Sequence, residues 1–387
     1  MKPKKKILVF TDWFIPGFKA GGPIRSCVNL VENLNDIFDF SVITRDTDYC
    51  ETTPYASVKS NEWNKTKNGL RIYYFSADQL NKKNIRAVLA GEEFDFVYMN
   101  SVFSLYFTIY PLLILKKNKF QHIVLAPRGM FAKNALAIKA MKKNMFLFLA
   151  RCTGLFNDIT FSASNYQEAG EIKKAMGVHT SVKIAANLPK KDSLKPFTSR
   201  TKISGSVKLI NIARIAPEKN LKYALEVLLM VEEKVEFDIY GPIYDRNYWE
   251  ECRKLIEQMP VNIKINYKQA IENNKIPLLL PEYHFMFMPT LGENFGHIIL
   301  ESLSSGCPVI ISDKTIWKNA PDKPVLGWDI PLDQKSLFVD TIEKCAGINQ
   351  EEYIKISESA YKNAVLFRGN NNLIKENTEL FIPMKRT

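Results

Sequence analysis

Residues 292–313 read Gly-Glu-Asn-Phe-Gly-His-Ile-Ile-Leu-Glu-Ser-Leu-Ser-Ser-Gly-Cys-Pro-Val-Ile-Ile-Ser-Asp. An apolar run, 285–288, leads into this stretch, and a second, 309–311, lies inside it. Both runs predict strands. The segment between them predicts a glycine-bracketed loop and a helix that Gly306 closes. A strand, a tight turn and a helix N-terminus together make an anion site, because backbone N–H groups and the helix dipole converge there. On this reading the N–H groups of Phe295 and Gly296 face a phosphate. Glu301, further along the helix, takes the vicinal hydroxyls of a ribose, and Glu293, at the loop tip, takes those of a second sugar. The constellation suits a nucleotide-sugar. The plain alternative is a solvated loop acid followed by a helix-surface acid.

Outward from this stretch, strand-like and helix-like segments alternate along the whole chain. Strands are predicted at 7–10, 41–44, 72–75, 96–99, 123–126 and 159–162, and again at 208–212, 237–240, 263–265, 285–288 and 309–311. Helical patterns occupy 24–34, 136–151 and 221–231. Such alternation indicates α/β architecture with parallel sheets covered by helices. Residues 190–206 are rich in Lys, Ser, Thr and Pro without periodicity and predict a linker. The expected organisation is an N-terminal Rossmann-like domain over 1–190, a linker over 191–206 and a C-terminal Rossmann-like domain over 207–387, whose last helix can pack back on the first domain. The ligand cleft is expected between them, at the carboxyl ends of the strands.

The chain has 387 residues, 46% of them hydrophobic, enough for two cores. The longest apolar stretch, 102–115, contains Pro111 and is too short to cross a bilayer, so a buried or surface-docking helix is expected there. The basic, then apolar, N-terminus reads as a first strand and not a signal peptide. Six cysteines without a Cys-x-x-Cys pair point to reduced thiols and a cytoplasmic setting. Four scattered histidines give no metal cluster. Residues 1–190 carry 27 Lys/Arg against 15 Asp/Glu, whereas 191–387 carry 26 of each, so the net charge of +12 belongs to the first half. That asymmetry favours an anionic membrane surface as a peripheral contact. Nucleic acid is not expected as a partner, since no helix-turn-helix, RNA-binding or zinc-finger pattern is present.

A second motif, Ala213-Arg214-Ile215-Ala216-Pro217-Glu218-Lys219-Asn220-Leu221, follows the strand at 208–212 and opens a helix. Two cations five residues apart in such a turn can converge on a diphosphate, whose negative charge grows as the glycosidic bond breaks. Gly21-Gly22-Pro23 forms a turn before the first helix, and Ala126-Pro127-Arg128-Gly129-Met130 ends a first-domain strand. Asp46-Thr47-Asp48 has the form of a metal-binding Asp-x-Asp but reads as a polar loop. His284 and His297 can equally be packing residues. Gly327-Trp328-Asp329 reads as a late loop without assigned chemistry. In 136–151, basic Lys139, Lys142, Lys143 and Arg151 interleave with Leu136, Met141, Met145, Phe146, Phe148 and Leu149. This pattern fits either a membrane-surface helix or an ordinary helix with a basic face.

Together these motifs resemble those of retaining glycosyltransferases of the GT-B type, family 4 (group 1). The resemblance is specific over 208–313 and thinner before it. The family's Glu-small-Phe-Gly-x4-…-Glu pattern falls on Glu293 to Glu301, with Asn294 where glycine is most common. Its Gly-Arg…Glu-Lys-Gly segment falls on 213–220, with Ala213 and Asn220 at the glycine positions. The resemblance implies two Rossmann-like domains facing across a cleft and a donor held by Gly21, Gly22, Arg128, Arg214, Lys219, Glu293, Asn294, Phe295, Gly296 and Glu301. Catalysis would rest on Glu293, Arg214 and Lys219, without a metal or other cofactor. It implies hexose transfer from a nucleotide diphospho-sugar to a saccharide or lipid-linked saccharide, with the acceptor attacking the face the diphosphate leaves. Where many relatives have His-Gly, this chain, like some others of the family, has Arg128-Gly129-Met130; a permanently charged Arg cannot inherit a proton-transfer role and would instead orient sugar or phosphate oxygens. Two other classes stay open: a nucleotide-sugar epimerase of the same fold, and a non-catalytic membrane- or polyanion-binding protein.

Overall fold

Strands β1 (Lys6–Phe10), β2 (Asp39–Arg45), β3 (Trp63–Lys65), β4 (Arg71–Phe75), β5 (Phe96–Met99), β6 (Ile123–Leu125), β7 (Thr160–Ala163) and β8 (Val182–Ile184) form one sheet in the order β3-β4-β2-β1-β5-β6-β7-β8. All neighbours are parallel except β3 on β4. The computed structural model describes residues 3–132, 135–136, 140–192 and 194–383. These divide into two compact units, Met1–Lys191 with Asn371–Thr387, and Asp192–Asn370.

In unit 1 the strands read as near-continuous apolar runs because both sheet faces are covered. Helices α1 (Gly22–Leu34), α2 (Lys82–Ala90), α3 (Tyr110–Lys117), α4 (Ala140–Cys152) and α5 (Tyr166–Met176) connect them. The apolar run 102–115 becomes a π-turn at Leu105–Ile109 that flows into α3. The helix expected over 136–151 is described from Ala140 onward. Lys139 lies outside the described residues.

Unit 2 holds β9 (Ser206–Ile212), β10 (Lys234–Tyr240), β11 (Ile263–Tyr267), β12 (Phe285–Met288), β13 (Val309–Ser312) and β14 (Gly327–Ile330), in the order β11-β10-β9-β12-β13-β14. All are parallel. This is the 3-2-1-4-5-6 order of a dinucleotide-type Rossmann sheet, whose switch point lies between β9 and β12. The principal helices are α6 (Leu221–Leu228), α7 (Arg246–Ile256), α8 (His297–Ser304), α9 (Lys335–Gly347) and α10 (Gln350–Arg368). Among the described residues, no helix is long and apolar enough to cross a membrane.

Two sequence expectations change. Gly327-Trp328-Asp329 is not a loop but opens β14, paired in register with β13. Gly327 has a φ of 127°, and a Cβ there would strike the Val309 backbone, so only glycine lets the edge strand close on its neighbour. The stretch 194–205 is not a free linker. The buried Arg200 donates to the carbonyls of Ser305 and Gly306 at the end of α8 and to Pro281 O (3.1 Å). The buried Lys202 donates to the carbonyls of Ala346 (2.8 Å) and Ile348 (3.3 Å) at the end of α9. Two cations thus join in satisfying carbonyls that have no intrahelical partner at two helix C-termini. The last helix, α11 (Asn372–Glu379), and the residues after it belong to unit 1, the return that the sequence reading allowed for. Phe381 packs edge-on against Phe38 (5.2 Å), Phe40 (6.1 Å) and Phe96 (5.9 Å), and Lys183 holds the Glu379 and Ile382 carbonyls.

Candidate nucleotide-sugar site

The two motifs of unit 2 leave the sheet at adjacent strands. The 213–220 segment follows β9 and the 289–296 segment follows β12, so they flank the switch point. Hydrogen bonds to backbone carbonyls fix one against the other. Leu291 N and Thr290 Oγ1 both donate to Glu218 O, each at 3.0 Å. Asn220 Nδ2 donates to Pro289 O (2.9 Å). Across this frame the Lys219 ammonium pairs with the Glu293 carboxylate, both side chains largely buried. Arg214 pairs with Glu218 (3.4 Å) and lies over the Tyr244 ring, 5.2 Å from its centroid.

The departures from the family's glycines have a local explanation. Asn220 adopts φ 58°, ψ 35°, the left-handed region between the short 3-10 turn Pro217–Lys219 and α6. After glycine, asparagine enters this region most readily, and here its amide also bonds the facing loop. At Ala213 the small residue is matched by glycine on the other side: a Cβ on Gly241 (φ 149°) would run into the Ala213 carbonyl.

Gly296, at φ 76° and ψ 59°, turns the chain into α8. Phe295 is the anchor of the loop. Its buried ring packs on His297 (4.6 Å), Trp317 (5.8 Å) and Phe367 (5.6 Å), while Trp317 Nε1 donates to Phe295 O (2.6 Å). Glu293 N donates to Lys314 O (3.2 Å). Asn294 is half-buried beside them, and Glu301 stands half-buried on the second turn of α8. Sequence reasoning passed over Thr290, Tyr244, Lys314 and Trp317. Of these only Thr290, next to Pro289 at the end of a strand, carried a local signal.

The remaining candidates belong to unit 1. Gly21 (φ 70°) caps α1, and a Cβ added at Gly21 or Gly22 would meet nothing within 4 Å, so the turn is open on that side. Arg128 also lies in the left-handed region, φ 55°. Its guanidinium donates to Asn100 Oδ1 (2.7 Å), Tyr98 Oη (2.5 Å) and Asn187 Oδ1, and Gly129 N donates to the buried Glu168 (2.6 Å). All three of these guanidinium acceptors belong to unit 1.

Asp46 and Asp48 are both buried and structural. Asp46 accepts from Ser60 Oγ (2.6 Å), and Asp48 accepts from the backbone of Phe18 (2.9 Å), Lys19 (3.2 Å) and Tyr49 (2.7 Å), fixing the loop that leads to Gly21. Among the described residues no group of three or more His, Cys, Asp or Glu could hold a metal ion. His284 is likewise structural: Nδ1 accepts from Lys208 N (2.9 Å), Nε2 faces Thr201 O (3.0 Å), and burial pushes its pKa down to about 4.

Residues 195–362, all within unit 2, match the family model described as Glycosyl transferases group 1. A curated relative, an "Uncharacterized 41.2 kDa protein in cps region" of Klebsiella pneumoniae, is 20% identical over 233 residues. That alignment takes in 58% of this chain and 62% of the relative, so the chain spans less than two thirds of the relative's length. Two solved structures are similar along nearly the full length. HepE of Anabaena, in complex with UDP-glucose, has a TM-score of 0.68 at 14% identity, with 97% of this chain and 98% of that one covered. WaaG, a glycosyltransferase involved in lipopolysaccharide biosynthesis, has a TM-score of 0.60 at 12% identity, with 97% and 98% covered. The chain has the GT-B fold of these structures, and unit 2 carries the sequence pattern of the group 1 family.

Proposed function

We propose that this protein is a retaining glycosyltransferase of family 4 that moves a hexose-type sugar from a nucleotide diphospho-sugar to a saccharide or lipid-linked saccharide, in surface polysaccharide biosynthesis. The observation that carries the reading is the Lys219–Glu293 pair, which joins the two motif loops across the switch point of unit 2. With no donor present, each group neutralises the other. A diphosphate arriving at the α8 N-terminus is a stronger partner for Lys219 and Arg214 than a single carboxylate. It frees Glu293 to accept from sugar hydroxyls, while Glu301 takes the ribose. The C1–O bond to the diphosphate breaks as the acceptor oxygen bonds C1 on the same face, and the acceptor proton passes to the departing phosphate. Arg214 and Lys219 hold the charge that develops, which is the role a metal would otherwise fill.

Support comes from the group 1 match over 195–362 and from the UDP-glucose complex of the similar HepE, which makes a UDP-hexose the first donor to try. The WaaG likeness and the cps-region relative favour polysaccharide assembly. The test is a thermal-shift and slow-hydrolysis screen against UDP-, GDP-, ADP- and dTDP-sugars, with EDTA and with added Mg²⁺, on wild type and Glu293→Ala. The expected result is stabilisation by one donor class, nucleoside diphosphate release that EDTA does not reduce, and loss of both effects in the variant. Stabilisation by no donor overturns the reading, and dependence on Mg²⁺ overturns the metal-free mechanism.

A further inference from the structure

Helix α4 has two apolar faces. The inward one, Phe146, Leu147 and Ala150, packs into the core of unit 1, with Phe146 against Phe103 (5.7 Å) and Phe156 (6.2 Å). On the opposite side Met141, Met145, Phe148 and Leu149 are 83%, 61%, 65% and 53% exposed. Their spacing of i, i+4, i+7 and i+8 draws a single stripe along the outward face. Exposed Lys142 flanks it on one side, and Arg151, anchored on the carbonyls of Lys174 and Ala175, flanks it on the other. The surrounding sequence has an extreme charge pattern. Between Asp95 and Asp158 there is no Asp or Glu at all, while nine Lys or Arg occur.

We propose that this stripe and its basic flanks form a docking surface for an anionic phospholipid membrane. Four contiguous exposed apolar side chains mark an interaction surface. Basic flanks on a stretch of chain without Asp or Glu favour a negatively charged partner, each Lys or Arg near the headgroups contributing about 1 kcal/mol. A soluble polyanion such as nucleic acid would match the charge but gain nothing from Met145 and Phe148. A bilayer interface matches both, with the apolar stripe below the headgroups and the cations among them. The transfer reading rests this surface's purpose on a lipid-linked acceptor, but the docking itself stands on α4 alone. Donor hydrolysis, a property of unit 2, fails or survives separately in the same samples.

The test is co-sedimentation of the full chain with phosphatidylcholine vesicles, with and without phosphatidylglycerol. Met145→Ser/Phe148→Ser and Lys142→Ala, both at solvent-facing positions, are compared with wild type, and circular dichroism melting checks that they fold. Wild type is expected to bind the phosphatidylglycerol vesicles and not the neutral ones. The double variant should bind at least about tenfold more weakly, and Lys142→Ala more weakly by a smaller factor, with donor hydrolysis unchanged in both. No binding by wild type overturns the proposal, as does equal binding by the double variant. Tighter binding to an oligonucleotide than to the vesicles, or a wild-type dimer that the double variant dissociates, assigns the stripe to another partner and overturns it too.

Discussion

The two units share a strand order around their switch points and fill those points differently. In unit 2 the gap between β9 and β12 holds paired charges, Lys219 with Glu293 and Arg214 with Glu218. In unit 1 the residues beside the gap between β1 and β5 are tied by internal hydrogen bonds. Asn100 donates to Pro23 O (3.1 Å) and Ser104 Oγ to Asp12 (2.9 Å), while Arg128, at the end of β6, is held by neutral amide and phenol oxygens. A cation resting on a carboxylate can exchange that partner for a phosphate. A cation whose donors end on buried neutral acceptors cannot leave without stranding them. On the function proposed above, the resting partner, more than the motif letter, separates a binding cation from a structural one.

The contrast can be broken at Lys219 first. Lys219→Ala should lower kcat for donor hydrolysis or transfer about a hundred- to a thousandfold. The double variant with Glu293→Ala should be much less than additive, because the two act as one unit. A kcat within a factor of two of wild type would dissolve the distinction. Arg128→Met should act on the fold instead, costing roughly 3 kcal/mol in denaturant unfolding through lost bonds to Tyr98, Asn100 and Asn187. A normal unfolding curve with a raised donor KM would move Arg128 into the site.

Unit 2 also carries a pH signature. Neutral His284 has a folded pKa pushed down to about 4 from 6.5 by burial. Its contribution is complete above pH 6.5 and is lost as pH falls toward 4, because the unfolded chain takes up a proton the folded one refuses. Stability should drop by up to roughly 3 kcal/mol over that window. His284→Gln should flatten this slope, and an unchanged slope would show that other groups set it. The smallest effect is expected at Asn220. Asn220→Gly relieves the left-handed backbone but loses the bond to Pro289, so stability should move by no more than about 0.5 kcal/mol. Asn220→Ala loses both advantages, at about 1–2 kcal/mol. Equal melting of the two variants would argue against the backbone explanation.

Legibility followed the range of the interactions. Central strands such as Phe285–Met288, entirely buried, announced themselves as apolar runs, whereas β3 and β8, three residues each, and the Gly- and Asp-containing β14 did not. Both site motifs could be read because each is a strand end, a turn and a helix start contiguous in the chain. Arg200 and Lys202 could not: they sit in a polar stretch, and the carbonyls they cap lie more than 100 residues away. The helix over 136–151 was readable as basic and apolar, but which of its apolar residues face out was not, because Phe146 and Leu147 pack inward while Met141, Met145, Phe148 and Leu149 stay exposed.

The sequence by itself determined the alternation of the central strands with helices, the strand-turn-helix unit at 285–304 and the charge imbalance between the halves, since each is set by local periodicity or composition. Only the tertiary structure decided that Lys219 meets Glu293, that Arg128 meets Tyr98, Asn100 and Asn187, and that Arg200 and Lys202 cap distant helix ends. Those outcomes depend on which distant groups packing brings within hydrogen-bond reach, and no local stretch of chain encodes that distance.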